Sequence, residues 1–260
     1  MISRDFAHDR GALDWLIDHG ADVNRTDEYR GDEYLMRRHD PGRSWSLKHL
    51  NIIAALGDIE LFDHIVSRGA DPQRSIALHR ATKCRDPEKS IAMIDHLLDK
   101  HHMDIESKTE DFNNFIDSDD AGTPVECAIH YRNLAAVKHL LKRGARPRGA
   151  DQAAGRWGAT PFVPALGPLL DAGANPDDAL ELVIITNDIE SARLCVEAGA
   201  DPRAIISSQE ARAARLAARS KLNSGNEDEY YDDEYPSDNE SAAGLSGEME
   251  ALLRSFGHAS

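Results

Sequence analysis

Twelve histidines and three cysteines are the side chains with the most chemistry to offer. His96, His101 and His102 come closest to the spacing of metal ligands. His96 and His101 stand five residues apart rather than four, and no Cys or carboxylate pattern completes a set. No metal site and no cofactor is therefore expected. Nucleophilic catalysis needs a Ser or Cys on a strained turn beside a base. The chain has no Gly-x-Ser-x-Gly, no Walker-type phosphate loop and no His-Glu-x-x-His. Its acidic pairs crowd into one polar run, where they are solvated charges rather than a tuned acid and base. No enzyme is expected.

The cysteines are odd in number and scattered, at Cys84, Cys127 and Cys195, two of them at helix positions that should be buried. That usage fits a reducing compartment, the cytoplasm or the nucleus. No apolar run approaches the roughly 20 residues of a membrane helix, so no membrane association is expected. The first ten residues are charged throughout and lack a signal-peptide core. The net charge of −16 is unevenly placed: ten acids and no Lys or Arg lie between Lys221 and Arg254. The remainder is only mildly acidic, which still disfavours phosphate binding, so nucleic acid is not an expected partner.

The elements that would carry any site announce themselves by repetition. Gly20-Ala21-Asp22, Gly69-Ala70-Asp71, Gly144-Ala145-Arg146, Gly173-Ala174-Asn175 and Gly199-Ala200-Asp201 each follow an apolar, helix-like run. Glycine fits the left-handed residue that ends a helix, and Pro72, Pro147, Pro176 and Pro202 then block its continuation. Such recurrence means stacked supersecondary units, none able to bury its apolar face alone. The clearest unit runs Gly122-Thr123-Pro124-Val125-Glu126-Cys127-Ala128, then Asn133-Leu134-Ala135-Ala136-Val137, then Leu140-Leu141-Lys142-Arg143-Gly144-Ala145.

This pattern resembles the ankyrin repeat: a Thr-Pro-Leu-His-x-Ala first helix, a Gly-Asn loop and a Leu-Leu-x-x-Gly-Ala-Asp second helix. Ser75-Ile76-Ala77-Leu78-His79-Arg80-Ala81 keeps the Leu-His pair without the Thr-Pro. The resemblance implies an all-α ankyrin solenoid of about six irregular helix pairs, followed by an acidic disordered tail. It also implies that His79 bonds the backbone of a neighbouring loop, and that hairpin tips and inner helices form a concave surface holding a partner protein.

The array is expected over residues 1–204, with long insertions near 25–43 and 106–122. Helix pairs are predicted at Ser46–Leu56 with Ile59–Ser67, Ser75–Lys83 with Pro87–Lys100, and Asp178–Thr186 with Ile189–Glu197. The first unit is little more than its second helix, Ala12–His19, without a visible capping repeat; an imperfect cap or a truncated chain are both open. Unit five is weakest, with a second helix near 165–172 and a first helix either lost or displaced to 150–156. A capping helix is predicted at 205–222, an acidic disordered segment at 223–247 and a short amphipathic helix at 248–257.

Tyr29, Tyr34, Trp45, Phe112, Phe115, His130 and Tyr131 are candidate partner-binding residues, because aromatic anchors carry much interface energy. Folding back to plug their own loops is the competing reading. The acidic run is inert, an electrostatic arm, or a regulatory stretch in which Ser224 and Ser237, each with a Glu three residues on, suit acid-directed kinases. Met249, Leu252, Leu253 and Phe256 form a helical stripe that docks back on its own array or enters a partner's groove, with docking back favoured. The expected function is a monomeric, non-catalytic adaptor or scaffold. The alternative is an inhibitor or chaperone-like protein whose acidic tail contacts a basic partner.

Overall fold

Short polar side chains begin many of the described helices, and a glycine followed by alanine ends five of them. The structure is a computed structural model that describes residues 9–24, 48–108, 122–154, 161–185, 187–203 and 246–257. Asp58 Oδ1 accepts from the Leu61 N–H at 3.0 Å, Asn133 Oδ1 from Ala136 at 3.1 Å and Asp188 Oδ1 from Ser191 at 3.1 Å. Each satisfies a donor that a helix N-terminus leaves without an intrahelical partner. At the other end, Gly144 N–H bonds Leu141 O and Ala145 N–H bonds Leu140 O, both at 3.0 Å. The same closure recurs at Gly20, Gly69, Gly173 and Gly199, all with φ between 88° and 103°. That φ excludes most side chains, and the doubled bond satisfies two terminal carbonyls. The Gly-Ala signature is thus a helix terminator whose alanine tucks inward: Ala70, Ala145, Ala174 and Ala200 are all buried.

Among the described residues every regular element is helical: α1 (Arg10–Asp18), α2 (Lys48–Leu56), α3 (Ile59–Ser67), α4 (Ala77–Ala81), α5 (Pro87–Asp99), α6 (Pro124–His130), α7 (Leu134–Lys142), α8 (Ala150–Ala153), α9 (Leu166–Asp171), α10 (Asp177–Ile185), α11 (Ile189–Glu197) and α12 (Gly247–Gly257). α3 and α11 keep the predicted bounds and α10 lies one residue earlier, while α4, α5 and α9 are shorter than the spans expected. Among the described residues the weak fifth unit contains the single turn α8, a 3-10 turn at Val163–Ala165 and the short α9, in keeping with its three prolines. Thr123 and Glu126 form a reciprocal capping box at α6, with Pro124 at its first position.

The helices form two rows. α2, α4, α6, α8 and α10 pack successively in one, while α5, α7, α9 and α11 continue the other from α3. Alanines at 77, 81, 128, 153 and 179 let the first row approach closely, and Phe62, Ile65, Met93, Ile94, Leu97, Val137 and Leu140 fill the space behind. Successive units are also stitched through loop backbone. Asn24 Oδ1 accepts from Asp71 N–H at 2.9 Å, Glu106 Oε1 from Arg146 N–H at 2.7 Å and Asp177 Oδ1 from Asp201 N–H at 2.9 Å. His79, 2% exposed, bonds the Ser107 carbonyl oxygen at 3.0 Å, the loop-bracing role expected of it.

The C-terminal helix docks back. α12 packs against α11, with Met249 and Leu253 fully buried and Leu252 partly so. Ser246 Oγ accepts from Met249 N–H at 3.2 Å, so the helix starts at Gly247, one residue before the predicted boundary. Phe256 lies on α12, but its side chain is outside the described residues, as are the predicted capping helix and acidic run. The long insertions are likewise outside, except Glu106–Lys108 and Gly122.

Burial of Leu253 makes α12 part of the core. Leu253→Ala is expected to destabilise the chain by about 2–5 kcal/mol in urea unfolding followed by circular dichroism. An unchanged midpoint would mean that α12 is not integral to the fold.

Candidate functional site

The described charges concentrate between helices of the second row, where one pattern recurs three times. His64 Nε2 donates to Asp14 Oδ1 at 2.7 Å, His96 Nε2 to Asp63 Oδ1 at 2.8 Å and His139 Nε2 to Asp95 Oδ1 at 2.8 Å. A carboxylate oxygen only accepts, so each Nε2 carries the proton. Four residues after each histidine comes a cation, one turn further along the same face. Arg68 reaches Asp14 and Asp18, Lys100 reaches Asp63, and Arg143 reaches Asp95 and Asp99. Each middle helix both gives and receives, through the dipeptides Asp63-His64 and Asp95-His96. Lys138 stands before His139 where an Asp would continue the series, and the ladder ends there.

The carboxyls respond to these partners. The hydrogen bond from His64 holds Asp14 below its ordinary value; desolvation opposes it, and positive charge on His64, Arg68 and Arg10 adds to the lowering. Partial burial pushes Asp63 up, but hydrogen bonds from Lys100, His96 and His101 together outweigh it and leave the pKa lowered. Asp95 is likewise pushed up by burial and brought below its ordinary value by His139 and Arg143.

The middle rung departs from the others. Ser67 replaces the second aspartate, Lys100 replaces arginine, and His101 brings its own Nε2 within 3.2 Å of Asp63 Oδ1. The expectation that no carboxylate joins His96 and His101 is therefore corrected: Asp63 does so from the preceding helix pair. The five-residue spacing did not matter, because His101 lies beyond the end of α5 and helical periodicity no longer governs it. His101 is tied down by its surroundings. Its ring lies 5.3 Å from that of Phe62, His102 adopts φ 50°, and Met103 N–H bonds Leu97 O at 3.1 Å. Burial lowers the His101 pKa, with the Asp63 hydrogen bond opposing it.

A second surface lies at the turns joining paired helices. His130 is exposed and meets Tyr131 edge-on at 5.2 Å, and Lys83 Nζ lies 4.7 Å over the Tyr131 ring. Next to them, the Arg132 guanidinium sits 5.1 Å over Phe162 and donates to Pro161 O at 3.2 Å. His130 and Tyr131 are thus brought together, on a basic and aromatic ridge. Tyr29, Tyr34, Trp45, Phe112, Phe115, Ser224 and Ser237 lie outside the described residues. Trp15 escaped the sequence reading: it is 58% exposed, stacks on His19 at 4.0 Å, and takes the ladder position that histidine holds in later units. Aligning the Gly-Ala signatures would have revealed both it and the ladder.

The lowered carboxyls fix a pH dependence. Each contributes stability that is fully present above the unfolded carboxyl pKa of about 4 and is lost as pH falls through the lower native value. Asp63→Asn combined with Asp95→Asn should therefore lose less stability between about pH 5 and about pH 3 than the unmodified chain, in urea titrations at both values. An equal loss would show that these pairs contribute nothing to the acid response. No protein-family model matches this chain, and a search of curated proteins returns no match.

Proposed function

We propose that the chain is a non-catalytic, ankyrin-type adaptor or scaffold that binds a partner protein through its helical array. The observation that carries this reading is the turn ridge of Lys83, His130, Tyr131 and Arg132, where aromatic and cationic groups share an accessible face. Aromatic and arginine side chains supply much of the energy of protein interfaces. Turns closed by the same doubled hydrogen bond support the solenoid reading, since a pre-formed face loses little entropy on binding. The partner is a protein rather than nucleic acid, and the reading places the chain as a monomer in the cytoplasm or nucleus.

The net charge of −16 and the acidic run favour a second reading, in which the tail of an inhibitor or chaperone-like protein contacts a basic partner. Salt separates the two, because contacts of an exposed acidic run weaken when screened.

Affinity capture with the full chain tests the proposal. His130→Ala combined with Tyr131→Ala is expected to lower recovery of the bound partner about tenfold, as loss of one interface hot spot would. His64→Ala, on the ladder, should leave recovery unchanged. Recovery insensitive to the ridge and abolished by salt would transfer recognition to the acidic tail.

A further inference from the structure

We propose that Asp63, His96 and His101 form a binding site for one divalent transition cation of the zinc class. This site is independent of the protein-binding reading.

The ladder supplies its own comparison. All three rungs make the same His–Asp bond, at 2.7, 2.8 and 2.8 Å, so packing of the units alone accounts for one imidazole on each carboxylate. It does not account for the second imidazole in the middle rung. There, one extra residue precedes the turn: Met103 N–H reaches back six residues to Leu97 O, whereas Ala70 and Ala145 reach back five. The added residue places His101 on the oxygen that His96 already occupies. The two rings meet edge-on at 5.1 Å, and the three potential ligand atoms lie within 4.8 Å of one another.

That arrangement of ligand atoms also suits coordination. A tetrahedral zinc with bonds of about 2.0–2.1 Å holds its ligand atoms about 3.3 Å apart, close to the 2.8 and 3.2 Å found here. On binding, each neutral imidazole moves its proton from Nε2 to Nδ1 and gives the metal the Nε2 lone pair. Two imidazoles with one carboxylate favour zinc, cobalt, nickel or copper over magnesium or calcium, which prefer all-oxygen shells. Three protein ligands leave the fourth position for water. The His101 side chain is 8% exposed and the Asp63 side chain 28%, so the site is pre-shaped yet open on one side. Lys100 is the cation there now; its side chain is 57% exposed and can swing into solvent when a metal replaces it.

Isothermal titration of the full chain with zinc chloride, after chelator treatment, decides the matter. One equivalent should bind with micromolar or tighter affinity, and cobalt(II) should give the visible absorption of a four- or five-coordinate nitrogen and oxygen site. Asp63→Asn and His101→Gln should each weaken binding at least tenfold. His64→Gln and His139→Gln, on rungs with one imidazole, should leave it unchanged, and Lys100→Gln should leave it unchanged or tighten it. Circular dichroism of each metal-free variant separates lost ligands from lost fold. The unmodified chain and Lys100→Gln remain informative even where a ligand variant unfolds. Absence of one-equivalent binding to the unmodified chain overturns the proposal. So does binding that survives in folded Asp63→Asn and His101→Gln.

Discussion

A nine-residue helix does not persist alone in water, because the first turn fixes many dihedral angles for one hydrogen bond. Nearly every helix described here is that short, so each depends on its neighbours for a buried face. The alanines of the first row bring backbones together, and Phe62, Ile94, Leu97 and Leu140 occupy the space behind. The tight Gly-Ala closure makes this possible by turning the chain within two residues while leaving few carbonyls unsatisfied. Caps, closures and loop-to-backbone bonds all serve the same dependence.

The His–Asp ladder adds direction to that packing. Apolar contact between rows tolerates sliding, whereas a hydrogen-bonded imidazole and carboxylate fix which turn meets which. Partly exposed ion pairs contribute modestly to stability, so their weight falls on register rather than on free energy. The ladder spans α1, α3, α5 and α7 and ends at Lys138. Beyond it, α9 and α11 present Pro168 and Leu194 at the positions where histidines stood, and register rests on packing alone.

Features encoded within one unit were legible in the sequence. The Gly-Ala terminators and the apolar spacing of α3 and α11 are local, and they placed those two helices at the bounds observed. The buried stripe of α12 was legible for the same reason. What joins units was not, since Asp63 meets His96 and His101 across more than thirty positions and no local rule connects them. The same limit hid the ridge, where Lys83 and Tyr131 belong to different helix pairs. Helical spacing does not reach His101, because it assumes one continuous helix and α5 ends at Asp99.

The return of α12 gives the chain an order of assembly. Pairs such as α2–α3 and α6–α7 close through turns of a few residues, so their contacts form among near neighbours in sequence. The face of α11 against α12 is finished by residues more than forty positions downstream. Closing so long a connection is entropically unfavourable until the array is already there to receive it. During synthesis, the far end of the stack would emerge with one apolar face still bare. It would stay so until Met249 and Leu253 arrived.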